Sequence, residues 1–267
     1  MRRARTPAVV SSLFLALALA GTGTSAAQAS ARADGSYVAL GDSYSSGVGA
    51  GRYTAESGAC RRSGLAYPRL WADAHRPSSF AFMACSGATT RSVRSGQLGP
   101  LTSSTRLVSV TAGGNDAGFA DVMSTCVVGS DARCLDRIAT ARGHIRSTLP
   151  GNLDSLYKAI RERAPEARVV VLGYPRFYDV DAACAGLSDA KRSAVNEAAD
   201  LLNSVISRRA AAHGFRFGDV RPPFTGHEIC SGASWLHSVN IADVGASYHP
   251  RAAGQSRGYL PVLNAHD

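Results

Sequence analysis

From residue 37 onward, short apolar runs alternate with longer amphipathic stretches. Residues 37–40 (YVAL), 79–85 (SFAFMAC), 106–116 (RLVSVTAGGND), 167–175 (ARVVVLGYP) and 215–220 (FRFGDV) read as strands. The fourth is the clearest, because a continuous apolar run suits a strand covered on both faces of its sheet. Between them, residues 62–75, 151–165 and 189–213 place apolar side chains at helical spacing. Pro68 is expected to disturb the first of these helices, Pro165 to end the second, and a last helix to follow Pro250. Strands alternating with helices predict an α/β fold, a parallel sheet of about five strands with helices on both faces.

The start of the chain has a different pattern. Arg2, Arg3 and Arg5 precede the apolar stretch AVVSSLFLALALAG, and A-x-A sites follow at 27–29 and 31–33. This predicts a secretory signal peptide over residues 1–33, with a core too short to span a bilayer comfortably. Residues 34–267 then form the single mature domain, long enough for one sizeable α/β core. Cleavage after Ala33 removes four arginines and no acid, taking the formal charge from +9 to +5. A mild positive charge suits loose contact with anionic surfaces such as phospholipid or cell wall. No basic run is interleaved with aromatics, which argues against nucleic acid as a partner. No later stretch is apolar for long enough to cross a membrane, so the mature protein is expected to be soluble and extracellular.

Six cysteines in an exported chain predict three disulfides. Pairing neighbours in order, Cys60–Cys85, Cys126–Cys134 and Cys184–Cys230, is the simplest arrangement. No C-x-x-C occurs and no histidine sits at finger spacing, so no metal site is expected.

Three polar, glycine-containing turns lie where strands end: GDSYSSG (41–47), CSGATT (85–90) and GGND (113–116). Ligands of parallel sheets gather at the carboxyl ends of strands. A serine hydroxyl becomes a useful nucleophile only when a base takes its proton, and acyl transfer needs N–H donors aimed at the developing oxyanion. Ser43 follows a strand, between Gly41 and Gly47, which let the chain turn tightly. Taken singly, Ser43 could be an N-cap and Gly87 and Asn115 turn residues. The stretch lacks the lysine of a P-loop and does not fit G-x-G-x-x-G. For the base, His249 in ASYHPRAAGQ stands before Pro250, with His227 and His237 as rivals. His75, His144 and His213 fall in or at the end of helical segments and read as surface residues. Asp42 and Asp116 flank the serine and the asparagine. Adjacent extended residues point to opposite faces, so both acids are read as structural, bonding N–H groups of the turns.

GDSYSSG, SGA around Gly87, GGND and SYHP, in that order, resemble the GDSL or SGNH hydrolases, whose letters name a Ser, Gly, Asn and His from four separate blocks. The resemblance runs from about Tyr37 to the C-terminus. GGNDAGFAD, RVVVLGYPR, HGFRFGDVRP, WLHS and RGYLPVLNA bring it closest to secreted actinomycete lipases and esterases. It implies a three-layer α/β/α sandwich with a flavodoxin-like sheet, the SGNH hydrolase fold. It also implies a serine hydrolase of carboxylic esters, fatty-acyl esters above all, working through an acyl-enzyme with Ser43 as nucleophile and His249 as base. The oxyanion hole would be the N–H groups of Ser43 and Gly87 with the Asn115 side chain, and no metal or organic cofactor would be needed. The family usually has an acid three residues before the histidine, where this chain has Ala246. By offset, the backbone carbonyl of Ser247 is the candidate to orient His249, with Asp243 as the alternative. No Gly-x-Ser-x-Gly surrounds Ser43, unlike the α/β-hydrolase lipases. A phospholipase or polysaccharide deacetylase of the same fold, and a non-catalytic cell-wall binding module, are the alternatives. A monomer in transient contact with a lipid surface is the expected state, and no long apolar lid helix points to strong interfacial activation.

Overall fold

Five parallel strands form the sheet: β1 (Ser36–Gly41), β2 (Ser79–Phe82), β3 (Thr105–Thr111), β4 (Arg168–Leu172) and β5 (Arg216–Gly218). Their spatial order is β2-β1-β3-β4-β5, the flavodoxin-like order. The structure is a computed structural model that describes Met1 and residues 35–267. The expected signal peptide therefore lies, apart from Met1, outside the described residues.

The helices are α1 (Ser43–Ser46), α2 (Tyr67–His75), α3 (Thr90–Gly96), α4 (Phe119–Val128), α5 (Asp131–Ser147), α6 (Leu149–Arg163), α7 (Asp189–Ala212), α8 (Arg221–Phe224) and α9 (Leu260–Asn264). α2 and α9 pack together on one face of the sheet. α3, α6 and α7 cover the other, with α5 against α7 and α4 against α5. This is the expected α/β/α sandwich. Right-handed crossovers require it: connections that run towards β2 and towards β5 fall on opposite faces.

The two sheet faces differ in chemistry. Register places Tyr37 beside Leu107 and Ala39 beside Ser109. On that face the Tyr37 ring meets Trp71 of α2 at 4.9 Å and its hydroxyl meets the Ser109 hydroxyl at 2.7 Å. A second buried hydroxyl chain runs from Tyr67 through Ser45 to Thr111 (2.7 and 2.9 Å) and reaches the turn that carries Ser43. The opposite face presents Val38, Leu40, Val108, Val110, Val169 and Val171, all buried. This aliphatic layer supplies burial without polar groups to satisfy.

The helix expected over 62–75 starts at Tyr67, and Pro68 lies in its first turn. Proline lacks an N–H that the first turn would leave unbonded anyway, so Pro68 opens the helix rather than disturbing it. α3, α4 and α5 occupy stretches in which the sequence suggested no helix. The cysteines are joined as Cys60–Cys85, Cys126–Cys134 and Cys184–Cys230. Among the described residues, no helix is long and apolar enough to cross a membrane.

Candidate active site

β1 lies between β2 and β3, so the carboxyl ends of three adjacent strands deliver the three glycine-containing turns to one edge of the sheet. After Gly41 the chain turns at once into α1. The Asp42 carboxylate caps it by accepting the Tyr44 N–H at 3.0 Å, and Gly47 ends it at φ 85°. Ser43 is thus the first residue of a one-turn helix at a strand end, and is 7% exposed.

The His249 Nε2 lies 2.7 Å from Ser43 Oγ, across 206 residues of chain. Its Nδ1 lies 2.9 Å from the Ser247 carbonyl. An Nδ1–H donated to that carbonyl leaves Nε2 as an acceptor for the serine hydroxyl. Burial pushes the imidazole down to about 4, against the Ser247 bond, which acts the other way. The Asp243 carboxylate is bound to Arg61 instead.

Several contacts hold this histidine. His237 N–H donates to the His249 carbonyl and Tyr248 N–H to the His237 carbonyl, each at 3.0 Å. Tyr248 sits at φ 64°, a left-handed conformation costly for an aromatic residue, and Tyr44 Oη donates to its carbonyl at 2.7 Å. Gly49 explains part of the glycine cluster. A Cβ there would approach the Pro250 carbonyl to 2.8 Å and the His249 Cβ to 3.0 Å, so a side chain would push the histidine turn away. The rivals are engaged elsewhere: His237 Nε2 meets the Gly49 carbonyl at 2.8 Å, and His227 stacks on Trp235 at 3.7 Å. His75, His144 and His213 are half-buried rather than surface residues. His213, for instance, meets Asp154 at 2.9 Å.

The other half of the site comes from β2 and β3. Ser86 N–H donates to the Cys60 carbonyl at 3.1 Å, tying the next turn to the disulfide. Gly87 has φ 78°, and a Cβ there would meet nothing within 4 Å, so glycine serves the backbone conformation and not close packing. Among the described residues, neither the Ser43 nor the Gly87 N–H has a protein acceptor. Asn115 Nδ2 donates to the Ala88 carbonyl at 3.0 Å, which leaves its second N–H uncommitted. Asp116 accepts from the Thr90 N–H and hydroxyl at 2.9 and 2.5 Å.

Asp42 is 1% exposed beneath the serine. It accepts from Thr111 at 2.6 Å and Tyr174 at 2.5 Å, and burial pushes its carboxyl up to about 6 against these bonds. The Tyr174 hydroxyl also takes the Gly114 N–H at 3.3 Å. One hydroxyl therefore bridges the serine turn and the asparagine turn. Sequence reasoning missed Tyr174; its place just beyond the end of β4 was the available signal.

From Ser43, Gly87, Asn115 and His249 a cleft runs along α4 past Phe119 and Met123. A deeper apolar recess opens behind Ser43 between α4, α5 and α7, lined by Val122, Ile138, Ile145 and Leu202 among others. Among the described residues, no group of His, Cys, Asp or Glu side chains is placed to hold a metal ion. A hydroxyl paired with a neutral imidazole, beside uncommitted N–H donors and an apolar cleft, suits acyl transfer.

Residues 39–257 match the GDSL-like lipase/acylhydrolase family. Lipase 1 of Streptomyces coelicolor is 64% identical over 266 residues, 99% of each chain. The crystal structure of phospholipase A1 from Streptomyces albidoflavus NA297 is similar with a TM-score of 0.87 at 63% identity, covering 88% of this chain and 100% of that one. That of an extracellular lipase from Streptomyces rimosus gives 0.85 at 59% identity, covering 87% and 100%. With this match and this identity over nearly its whole length, the chain belongs to the GDSL-like lipase/acylhydrolase family and is an ester hydrolase.

Proposed function

We propose that this protein is a secreted serine hydrolase that cleaves fatty-acyl esters through an acyl-enzyme. Ser43 Oγ attacks the ester carbonyl while its proton passes to His249 Nε2. The oxyanion accepts from the N–H groups of Ser43 and Gly87 and from the Asn115 amide. The imidazolium, held by the Ser247 carbonyl, protonates the leaving alkoxide. Water then attacks the acyl-enzyme with His249 again as base, and the fatty acid leaves. The observation that carries this reading is the 2.7 Å contact between Ser43 and His249.

The apolar cleft along α4 favours a fatty-acyl chain over an acetyl group on a polysaccharide. Phospholipids belong to the same chemical class, and the likeness to a phospholipase A1 supports including them. Secretion is supported by the export pattern over 1–33, by three disulfides and by the likeness to an extracellular lipase. N-terminal sequencing of the exported protein tests removal of residues 1–33.

A chain-length series of p-nitrophenyl esters, together with a phospholipid and an acetylated sugar, tests the substrate class. Acyl esters are expected to be hydrolysed, and Ser43→Ala to abolish the reaction. Unchanged turnover by Ser43→Ala would overturn the mechanism.

A further inference from the structure

Apart from Met1, the five most exposed large apolar side chains among the described residues are Ile241 (89%), Val128 (82%), Val244 (72%), Val239 (47%) and Val127 (41%). They come from two segments far apart in sequence, the end of α4 and the loop before His249. Four of them line the cleft that contains Ser43 and His249, and Ile241 lies between Val239 and Val244. A gathering of exposed apolar side chains at one functional mouth calls for a partner, whereas scattered ones would not.

Both segments are anchored. The Cys126–Cys134 disulfide lies directly beside Val127 and Val128. In the other loop, Asn240 Oδ1 accepts the N–H groups of Ala242 and Asp243 at 3.2 Å, Ser247 Oγ accepts the Asn240 N–H at 2.9 Å, and Arg61 binds Asp243. The apolar tips are therefore held out into water by bonded backbone. Each acid of the two segments is also neutralised, Asp121 by Arg137, Asp131 by Lys191 at 3.5 Å and Asp243 by Arg61. The rim is thus apolar and leaves no acid unpaired on either segment, which suits a phospholipid surface. A second copy seated on it would cover the way to Ser43, whereas a lipid surface would present its esters there.

We infer that the ends of α4 and of the 239–244 loop form an apolar rim that seats the cleft mouth on a phospholipid surface. The inference rests on the reading of this cleft as a lipid-ester site. The test measures co-sedimentation with phosphatidylcholine–phosphatidylglycerol vesicles in a Ser43→Ala background, so that no lipid is consumed. Ile241→Ser should weaken vesicle binding about tenfold, and Ile241→Trp should preserve or raise it. With Ser43 restored, Ile241→Ser should hydrolyse soluble p-nitrophenyl butyrate at the wild-type rate, which also reports an intact fold. Equal vesicle binding by the parent and Ile241→Ser would overturn the rim. So would a dimer in sedimentation that Ile241→Ser abolishes, which would assign the surface to a second copy. If the wild-type protein left p-nitrophenyl butyrate intact, the ester-hydrolase reading would fail, and vesicle binding would still decide the rim separately.

Discussion

Arg61 Nη1 donates to Asp243 Oδ1 at 3.0 Å and Nη2 donates to Oδ2, so the carboxylate nearest to His249 in sequence is committed to a guanidinium. The arginine holds the Asp243 carboxyl below the usual range. Asp243→Asn should therefore keep activity within about tenfold. The side chains are 24% and 41% exposed, so the stability loss should be no more than about 1 kcal/mol. A thousandfold fall in kcat with an intact fold would return the orienting role to Asp243.

Asn115 contributes the proposed side-chain donor. Asn115→Ala should lower kcat by ~10²–10³ with little change in KM, as expected when a donor acts mainly on the transition state. Steady-state kinetics on a soluble ester check the split, and a change confined to KM would assign Asn115 to ground-state binding.

Tyr174→Phe removes the hydroxyl shared by Asp42 and Gly114. A buried carboxylate that loses one of its donors should cost about 1–3 kcal/mol, read as a lower urea midpoint. kcat should fall too, because the serine and asparagine turns lose their common tie. An unchanged midpoint would mean that water replaces the phenol.

His249, held near 4 by burial, resists protonation in the fold but not when unfolded, where its ordinary value is 6.5. Its contribution to stability is present above 6.5 and is lost as pH falls towards 4. Asp42 runs in the opposite sense. Raised from 3.8 to about 6, it favours the fold below 3.8, and that contribution is lost as pH rises through 6. The two trends offset one another in wild type. In His249→Gln only the Asp42 trend remains, so wild type should lose stability relative to the variant on going from pH 7 to pH 4. Urea unfolding across that range measures this, and a pH-independent difference would show that His249 titrates normally.

The Cys60–Cys85 bond spans 25 residues and anchors the turn that carries Gly87. Replacing both cysteines with alanine should cost ~2–4 kcal/mol. Because the Gly87 N–H would lose its fixed direction, kcat should fall below wild type even at temperatures where the variant is folded. Full activity in the folded variant would limit the bond to a stability role.

The strands were legible because covered parallel strands are written as unbroken apolar runs, β4 above all. α5 was not, although Cys134, Ile138, Ala141 and Ile145 make a buried stripe at helical spacing. Its apolar residues are sparse and small among arginines, and they gain their burial from α4 and α7. α3 starts at the last residue of the turn read over 85–90 and runs on through residues assigned no element, despite its Thr89–Ser92 capping box. Ser43, Gly87, Asn115 and His249 could be named because each sits in a short block with its own chemistry. Tyr44 and Tyr174 could not, since their hydroxyls act on backbone or carboxylate 204 and 132 residues away. The choice between Ser247 and Asp243 depended on Arg61, 182 residues from the aspartate, which no local pattern announces.

The serine and the N–H donors stand on strand ends, but the imidazole arrives on the 237–249 segment, which no strand of the sheet carries. That segment is fastened by a handful of contacts, to Tyr44, Gly49 and Arg61 among others. Warming or ageing should therefore silence the enzyme while its sheet is still intact, and an inactivated sample should recover on cooling as long as those few fastenings can re-form.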